Sequence, residues 1–193
     1  MTKISFRRIA ISNFNFTQSV VEAAVLRWVE CALKKQADVL LIREALSLEQ
    51  LEYLLEIIHR FYSTRTFSLL VHSQWKTTWN IDGVHFKESD PRTATTHKSE
   101  FSEKIVLGKS CHSIEVMQHC EEVGFDYVFF SPIFQSRTHP SEILQGMEKL
   151  RLAAQAVQLP VFALGGIDSE EKIQRCRAAG AHGIAAIDFF SAQ

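Results

Sequence analysis

Short, strongly apolar runs alternate with longer amphipathic runs along almost the whole sequence, and this alternation constrains the fold more than any other feature. Eight runs have the length and the β-branched or aromatic content of buried strands. Five of the intervening runs repeat apolar residues at helical spacing, and two connections, at 73–80 and 93–102, do so more weakly. Such alternation predicts parallel strands. The predicted strands are residues 4–11, 39–43, 67–71, 81–86, 104–108, 126–130, 161–164 and 183–187, and the predicted helices are 17–35, 48–62, 114–123, 141–157 and 169–179.

Eight consecutive strand and helix units predict an α/β chain that closes into a (β/α)8 TIM barrel. The 193 residues, 46% of them hydrophobic, suit one compact domain over residues 1–193. Since about 250 residues are usual for this barrel, the loops are expected to be short. An open doubly wound sheet is the alternative arrangement of the same elements.

The charge balance predicts that an anionic ligand is bound by groups at its own site and is not attracted by the overall charge of the protein. Twenty-one basic and 22 acidic residues give a formal charge of −1, so no overall field favours nucleic acid or a membrane surface. The sequence has four cysteines that form no CxxC pair: Cys31, Cys111, Cys120 and Cys176. The first residues lack an apolar run long enough for a signal peptide. We therefore expect a cytoplasmic protein with reduced, mostly buried cysteines, of which only Cys111 lies where barrel chemistry is expected.

Two glycines follow the predicted strand at 161–164. Barrels of this kind place their reactive groups after the carboxyl ends of the strands, and the loop after strand seven often holds a phosphate. In PVFALGGIDSEE, Gly165 and Gly166 precede a helix whose first amides and dipole favour an anion. The alternative is a tight turn that needs glycine for its backbone angles.

His112 in GKSCHSIE lies between a strand and a helix, so it is expected to face the mouth of the barrel. An imidazole titrates near neutral pH and can exchange a proton there, which makes His112 the leading general acid or base. A packing or capping role is the alternative. One set of side chains has the composition of a metal site: His72, His85, His112, His139 and Asp90. The spacing does not support a metal site, because no HxH or HExxH pair occurs and His85 is expected to pack inside the barrel.

Four motifs in order resemble the thiamin phosphate synthase/TenI family: IDGVHFKESD, VLGKSCHSIE, GFDYVFFSPIFQSRTH and PVFALGGIDSEEKIQRCRAAGAHGIAAI. The earlier VLLIRE and LLVHSQ extend the resemblance over nearly the whole chain. It implies a TIM barrel of thiamin biosynthesis with one of two activities. Synthases join a pyrimidine pyrophosphate to a thiazole phosphate with Mg²⁺, whereas TenI-like members aromatise a thiazole phosphate carboxylate by moving a proton, without metal.

The residues that the synthase branch uses for pyrophosphate and Mg²⁺ are only partly retained. By resemblance, Arg43 matches its pyrophosphate arginine, but its lysine two residues later matches Ala45. Its metal-binding Asn-Asp pair matches His72 and Ser73, which leaves Asp90 as a metal ligand only if the protein is synthase-like. One carboxylate makes a poor Mg²⁺ site. A Thr-x-Thr-Lys motif matches residues 136–139, Ser-Arg-Thr-His, so a second lysine is lost.

The TenI-like branch is matched better. His112 falls on its proton-transfer histidine, and Gly165 and Gly166 fall on the backbone that holds the thiazole phosphate. Asp188, however, replaces a serine expected near the phosphate, and its charge would repel that group. The candidate substrate- and phosphate-binding residues are Arg43, Ser110, Ser136, Thr138, His139, Gly165, Gly166, Ile187 and Asp188.

These matches predict a TenI-like thiazole tautomerase that binds a thiazole phosphate and needs no cofactor. A homo-oligomer is compatible with this prediction. The first alternative is a Mg²⁺-dependent thiamin phosphate synthase. The second is a barrel that binds a ligand or a partner and has lost its chemistry.

Overall fold

Eight short strands form the centre of the structure, a computed structural model that describes residues 4–14, 21–44, 46–73, 80–91, 105–136 and 143–191. All neighbouring strands pair in parallel, and the sheet closes into a barrel in which the eight strands follow one another in chain order. The predicted TIM barrel is therefore confirmed, and the open sheet is wrong. The strands are β1 (Arg8–Ile11), β2 (Val39–Ile42), β3 (Ser68–His72), β4 (Gly83–Phe86), β5 (Val106–Cys111), β6 (Tyr127–Phe130), β7 (Val161–Leu164) and β8 (Gly183–Ala186).

Two strands differ from the sequence prediction by three residues or more at one end, for local reasons. β1 starts at Arg8 rather than at residue 4, because the backbone amides of Arg7 and Arg8 donate to the Asp38 carboxylate at 2.7 and 2.8 Å. β5 continues to Cys111, because Gly108 lies within the strand and does not end it. This extension matters for the site, since it carries Ser110 up to the barrel mouth.

The described helices cover the outside of the barrel. Ser47 caps the helix that begins at Leu48 through a reciprocal capping box with Gln50, and Ser113 and Ser169 cap the helices that begin at Ile114 and Glu170. The weaker crossovers predicted at 73–80 and 93–102 lie almost entirely outside the described residues. The helices are α1 (Val21–Lys34), α2 (Leu48–Phe61), α3 (Ile114–Glu122), α4 (Gly146–Ala156) and α5 (Glu170–Ala178), and a 3-10 turn, Asp188–Phe190, follows β8.

Alternation along each strand separates two apolar layers. In β6, Tyr127 and Phe129 belong to a cluster inside the barrel, whereas Val128 and Phe130 pack with the helices. A shift of one residue would exchange these faces, so the pattern fixes which side chains point to the barrel axis. None of the helices in the described ranges is long and apolar enough to span a membrane.

Candidate functional site

A cavity of about 420 Å³ opens at the carboxyl ends of the strands. Most of the candidate residues line it together, although they come from loops far apart in the sequence. Thr138 and His139 fall outside the described residues, and Asp90 does not line this cavity. The candidates in its wall are Arg43, Ser110, His112, Ser136, Gly165, Gly166, Ile187 and Asp188.

His112 is held at three atoms while its ring stays accessible at the mouth. Its backbone amide donates to Glu88 Oε1 at 2.8 Å, and its carbonyl accepts from Gln145 Nε2 at 2.9 Å. Its Nδ1 lies 2.9 Å from the carbonyl oxygen of Ser131, which can only accept. Nδ1 therefore carries the hydrogen, and the lone pair of the neutral ring lies on Nε2. Nε2 is therefore the ring nitrogen that can act as a base, and His112 lines the cavity.

Gly165 and Gly166 form the turn after β7, with φ angles of 104° and 63°. A side chain at Gly166 would place its Cβ 2.2 Å from the backbone oxygen of Gln135, so the loop after β6 packs directly on the glycines. The turn explanation therefore accounts for the sterics of both glycines, and a role of their amides in anion binding stays a prediction.

The charged groups around the cavity have mixed sign. Arg43 and Lys87 contribute cations, whereas Glu88 and Asp188 contribute carboxylates. Asp188 begins the 3-10 turn after β8 and still lines the cavity, so its position does not relieve the repulsion expected for a nearby phosphate. Any phosphate held here is therefore expected to lie closer to the glycine turn than to Asp188.

His85 is buried below the mouth and bonded on both ring nitrogens. Nδ1 lies 3.0 Å from the Tyr127 hydroxyl, and Nε2 lies 3.0 Å from Ser110 Oγ. Its ring stacks on Phe129 with centroids 4.0 Å apart. Burial lowers the pKa of His85 well below its usual value, and the electrostatic effect of the neighbouring His72 lowers it further. His85 therefore packs inside the barrel as expected and also reaches the cavity wall.

Among the described residues, the side chains around Asp90 do not form a site that fits a magnesium ion. Ser73 Oγ donates to Asp90 Oδ2 at 2.7 Å, and Lys109 Nζ donates to the Asp90 carbonyl at 2.6 Å, which brings a competing cation to this point. Within the described ranges, no cluster of three or more His, Cys, Asp or Glu side chains could hold a metal. The role of Asp90 as a metal ligand stays a prediction.

The cysteine that sequence reasoning placed near the chemistry is turned away from it. Cys111 Sγ lies 3.7 Å from Cys120 Sγ, and the hydrogen bond with Cys120 together with burial raises the pKa of Cys111. Burial also raises the pKa of Cys176 to about 11. At pH 8 we expect an aromatic disulfide reagent to modify the native protein only at half-buried Cys31, with the others reacting after denaturation. Rapid native modification of Cys111, mapped by mass spectrometry, would contradict this placement.

The sequence matches the family model described as "Thiamine monophosphate synthase" over residues 14–190, which is most of the 193-residue chain. The chain belongs to the thiamine monophosphate synthase family. Membership in this family confirms the resemblance drawn from the four motifs. The cavity described above is accordingly the candidate active site of a thiamine monophosphate synthase family barrel.

Curated relatives in the thiamine monophosphate synthase family carry synthase names. A "Putative thiamine-phosphate synthase 2" from Aquifex aeolicus is 37% identical over 109 residues, which cover 56% of this chain and 57% of that protein. A "Thiamine-phosphate synthase" from Caldanaerobacter subterraneus subsp. tengcongensis is 28% identical over 193 residues, covering 97% of this chain and 87% of that protein. For the Aquifex protein and one from Caldivirga maquilingensis, the chain spans only about half of the relative's length, 57% and 51%.

Solved structures of low identity support the fold alone. A thiamine phosphate pyrophosphorylase from Pyrococcus furiosus aligns with 94% of this chain and 85% of its own, with a TM-score of 0.73 at 18% identity. An N-acetylmannosamine-6-phosphate 2-epimerase from Clostridium perfringens gives 0.67 at 10% identity.

The names of the curated relatives correspond to the synthase alternative and not to the proton transfer expected first. The roles of individual residues stay predictions of the thiamine monophosphate synthase family resemblance. Sequence reasoning missed Lys87 and Glu88, which line the cavity from the loop after β4. Their position after a strand in IDGVHFKESD was the signal that pointed to them.

Proposed function

We propose that this chain binds a thiazole phosphate in the cavity and transfers a proton on it through His112, without a metal. The observation that carries the proposal is the hydrogen bond from His112 Nδ1 to the Ser131 carbonyl, which leaves Nε2 as the basic nitrogen at the cavity. The glycine turn at Gly165 and Gly166 is the proposed phosphate contact.

The chemistry needs no co-reactant. His112 Nε2 takes a proton from one position of the thiazole isomer, and the resulting imidazolium returns a proton at another, so the net change is an isomerisation. The Ser131 carbonyl favours this cycle, because it keeps accepting from Nδ1–H while the ring is charged. Glu88 and Gln145 hold the backbone of His112, which limits the motion of the base.

Synthase activity is the second candidate, and the names of the curated relatives favour it. Arg43 in the cavity wall is available for a pyrophosphate, and Asp90 is the retained carboxylate. The lack of a fitting metal site among the described residues weighs against it, since a pyrophosphate leaving group requires metal or several cations. A barrel that binds its ligand without turnover is the third candidate. Cytoplasmic location and homo-oligomer formation stay predictions.

Two assays on the purified full chain separate the candidates. In the first, the non-aromatic thiazole phosphate carboxylate is aromatised in the presence of EDTA. In the second, a hydroxymethylpyrimidine pyrophosphate is coupled to thiazole phosphate with and without Mg²⁺. We expect turnover in the first assay and none in the second. Magnesium-dependent coupling without aromatisation would overturn the proposal in favour of the synthase, and binding without turnover in either assay would favour the silent barrel.

A further inference from the structure

Three successive carbonyl oxygens of the turn after β7 are held by hydrogen bonds. The oxygens of Leu164 and Gly165 accept from backbone amides of the loop after β6, at 2.9 and 3.0 Å. The oxygen of Gly166 accepts from the ammonium of Lys172, with Nζ at 2.8 Å. The main chain of the neighbouring loop therefore holds the first two carbonyls, whereas the third is held by a side chain of α5.

The hydrogen bond to the Gly166 carbonyl also fixes the direction of the amide that follows it. In a planar trans peptide, the N–H of one residue points opposite to the C=O of the residue before it, and the Gly166–Ile167 peptide is trans. Gly166 and Ile167 line the cavity, but Lys172 does not. The Gly166 carbonyl therefore points out of the cavity wall toward Lys172, and the N–H of Ile167 points to the cavity side.

The ammonium of Lys172 is fixed from several sides. Besides the Gly166 oxygen, it contacts Asp168 Oδ2 at 2.8 Å and lies 5.3 Å from the centroid of the Phe134 ring. The hydrogen bond from Lys172 lowers the pKa of Asp168, so this carboxylate stays charged beside it. Because Lys172 and Asp168 together carry no net charge, the ammonium acts on the turn by its geometry rather than by its charge.

We propose that Lys172 is a positioning residue for anion binding: it holds the Gly166 carbonyl outside the cavity and thereby presents the N–H of Ile167 to the ligand. This role rests on the proposed phosphate contact at the glycine turn and adds to it a residue that lies outside the cavity. Gly166 has a φ of 63°, and a glycine allows its peptide to rotate once the carbonyl loses the ammonium. The direction of the peptide itself does not depend on any ligand.

Arg175 offers a matched control, because it lies over the same aromatic ring without holding the turn. Its guanidinium carbon is 5.2 Å from the centroid of Phe134, and its ion-pair partner is Glu171. Residual dipolar couplings of the ligand-free full chain report the direction of each N–H bond. In Lys172→Met we expect the coupling of Ile167 to change while those of the barrel strands persist, and Arg175→Met should match the wild type. An unchanged Ile167 coupling in Lys172→Met would overturn the proposal.

The effect on binding is measured by titration with inorganic phosphate in about 0.15 M salt, which screens distant charges. Lys172→Met should weaken binding by about fivefold or more, as expected for one lost hydrogen bond to a charged group, and Arg175→Met by less than about twofold. Combining Asp168→Asn with Lys172→Met keeps the net charge of the wild type and should bind as weakly as Lys172→Met alone. Recovery of affinity in the double variant would overturn the proposal, because Lys172 would then act through its charge.

The titration of the wild type separates this proposal from the proposed function. If the wild type binds phosphate and Lys172→Met binds it equally well, only the role of Lys172 is refuted. If the wild type binds no phosphate, the proposed phosphate contact at the glycine turn fails, and the role of Lys172 in binding fails with it.

Discussion

Replacement of His112 by alanine is expected to slow thiazole aromatisation by about 10²- to 10⁴-fold, the usual contribution of a positioned acid or base. The cause is the loss of Nε2 from the cavity, since the Ser131 carbonyl occupies the other ring nitrogen. Binding of thiazole phosphate should change little, because the proposed phosphate contacts are backbone amides of the glycine turn. Single-turnover kinetics with a separate binding titration would resolve the two effects.

His119 offers a matched control for this substitution. It lies on α3, its side chain is 66% exposed, and it pairs with Glu122 away from the cavity. His119→Ala should therefore leave both the rate and the affinity unchanged. An unchanged aromatisation rate in His112→Ala would show that this histidine is a packing or capping residue.

Replacement of Gly166 by alanine is expected to damage both the fold and the phosphate contact. The new Cβ would lie 2.2 Å from the Gln135 backbone oxygen and 2.7 Å from that of Phe134, so the loop after β6 would have to move. Together with the cost of φ at 63°, we expect the free energy of unfolding to fall by about 2 to 5 kcal/mol. Chemical denaturation and phosphate titration would measure the two losses.

Gly124→Ala separates the backbone cost from the clash. Gly124 also has a positive φ, 85°, but nothing lies within 4 Å of a Cβ built there, and it precedes β6 at the end of the barrel away from the cavity. We expect a loss of about 1 to 2 kcal/mol and unchanged ligand binding. Equal effects of the two substitutions would mean that the loop contact at Gly166 is unimportant.

The features that were predictable from sequence are those set by neighbouring residues. The strand at Val161–Leu164 depends on a short apolar run, and the structure reproduces it. The placement of His112 and Gly165 at the mouth follows from the same logic, because every barrel strand points its carboxyl end to one face.

Other parts of the site arise only when the barrel closes. The hydrogen bond between His85 and Tyr127 joins residues 42 positions apart, and Glu88 reaches the His112 amide across 24 positions. No local pattern encodes such distances. Gly108 shows the same limit: it suggested the end of a strand, whereas it lies inside β5 because the Tyr127 ring occupies the space of a side chain.

The choice between the two reactions depends on which evidence is used, the family membership of the chain or the side chains near Asp90. The motifs identify the family, and the names of relatives favour the synthase. By resemblance, His72 and Ser73 stand where the synthase branch has metal ligands, and this argues for proton transfer; the hydrogen bond from Ser73 to Asp90 agrees with it. The argument for metal-independent chemistry therefore rests on the side chains around Asp90, and family membership does not support it.

The most direct test of this account is a calorimetric titration of the full chain with thiazole phosphate carboxylate, once with Mg²⁺ and once with EDTA. We predict saturable binding at one site per chain with the same affinity in both conditions. Absence of binding in both conditions, or binding that requires Mg²⁺, would contradict a metal-independent thiazole phosphate site in this cavity.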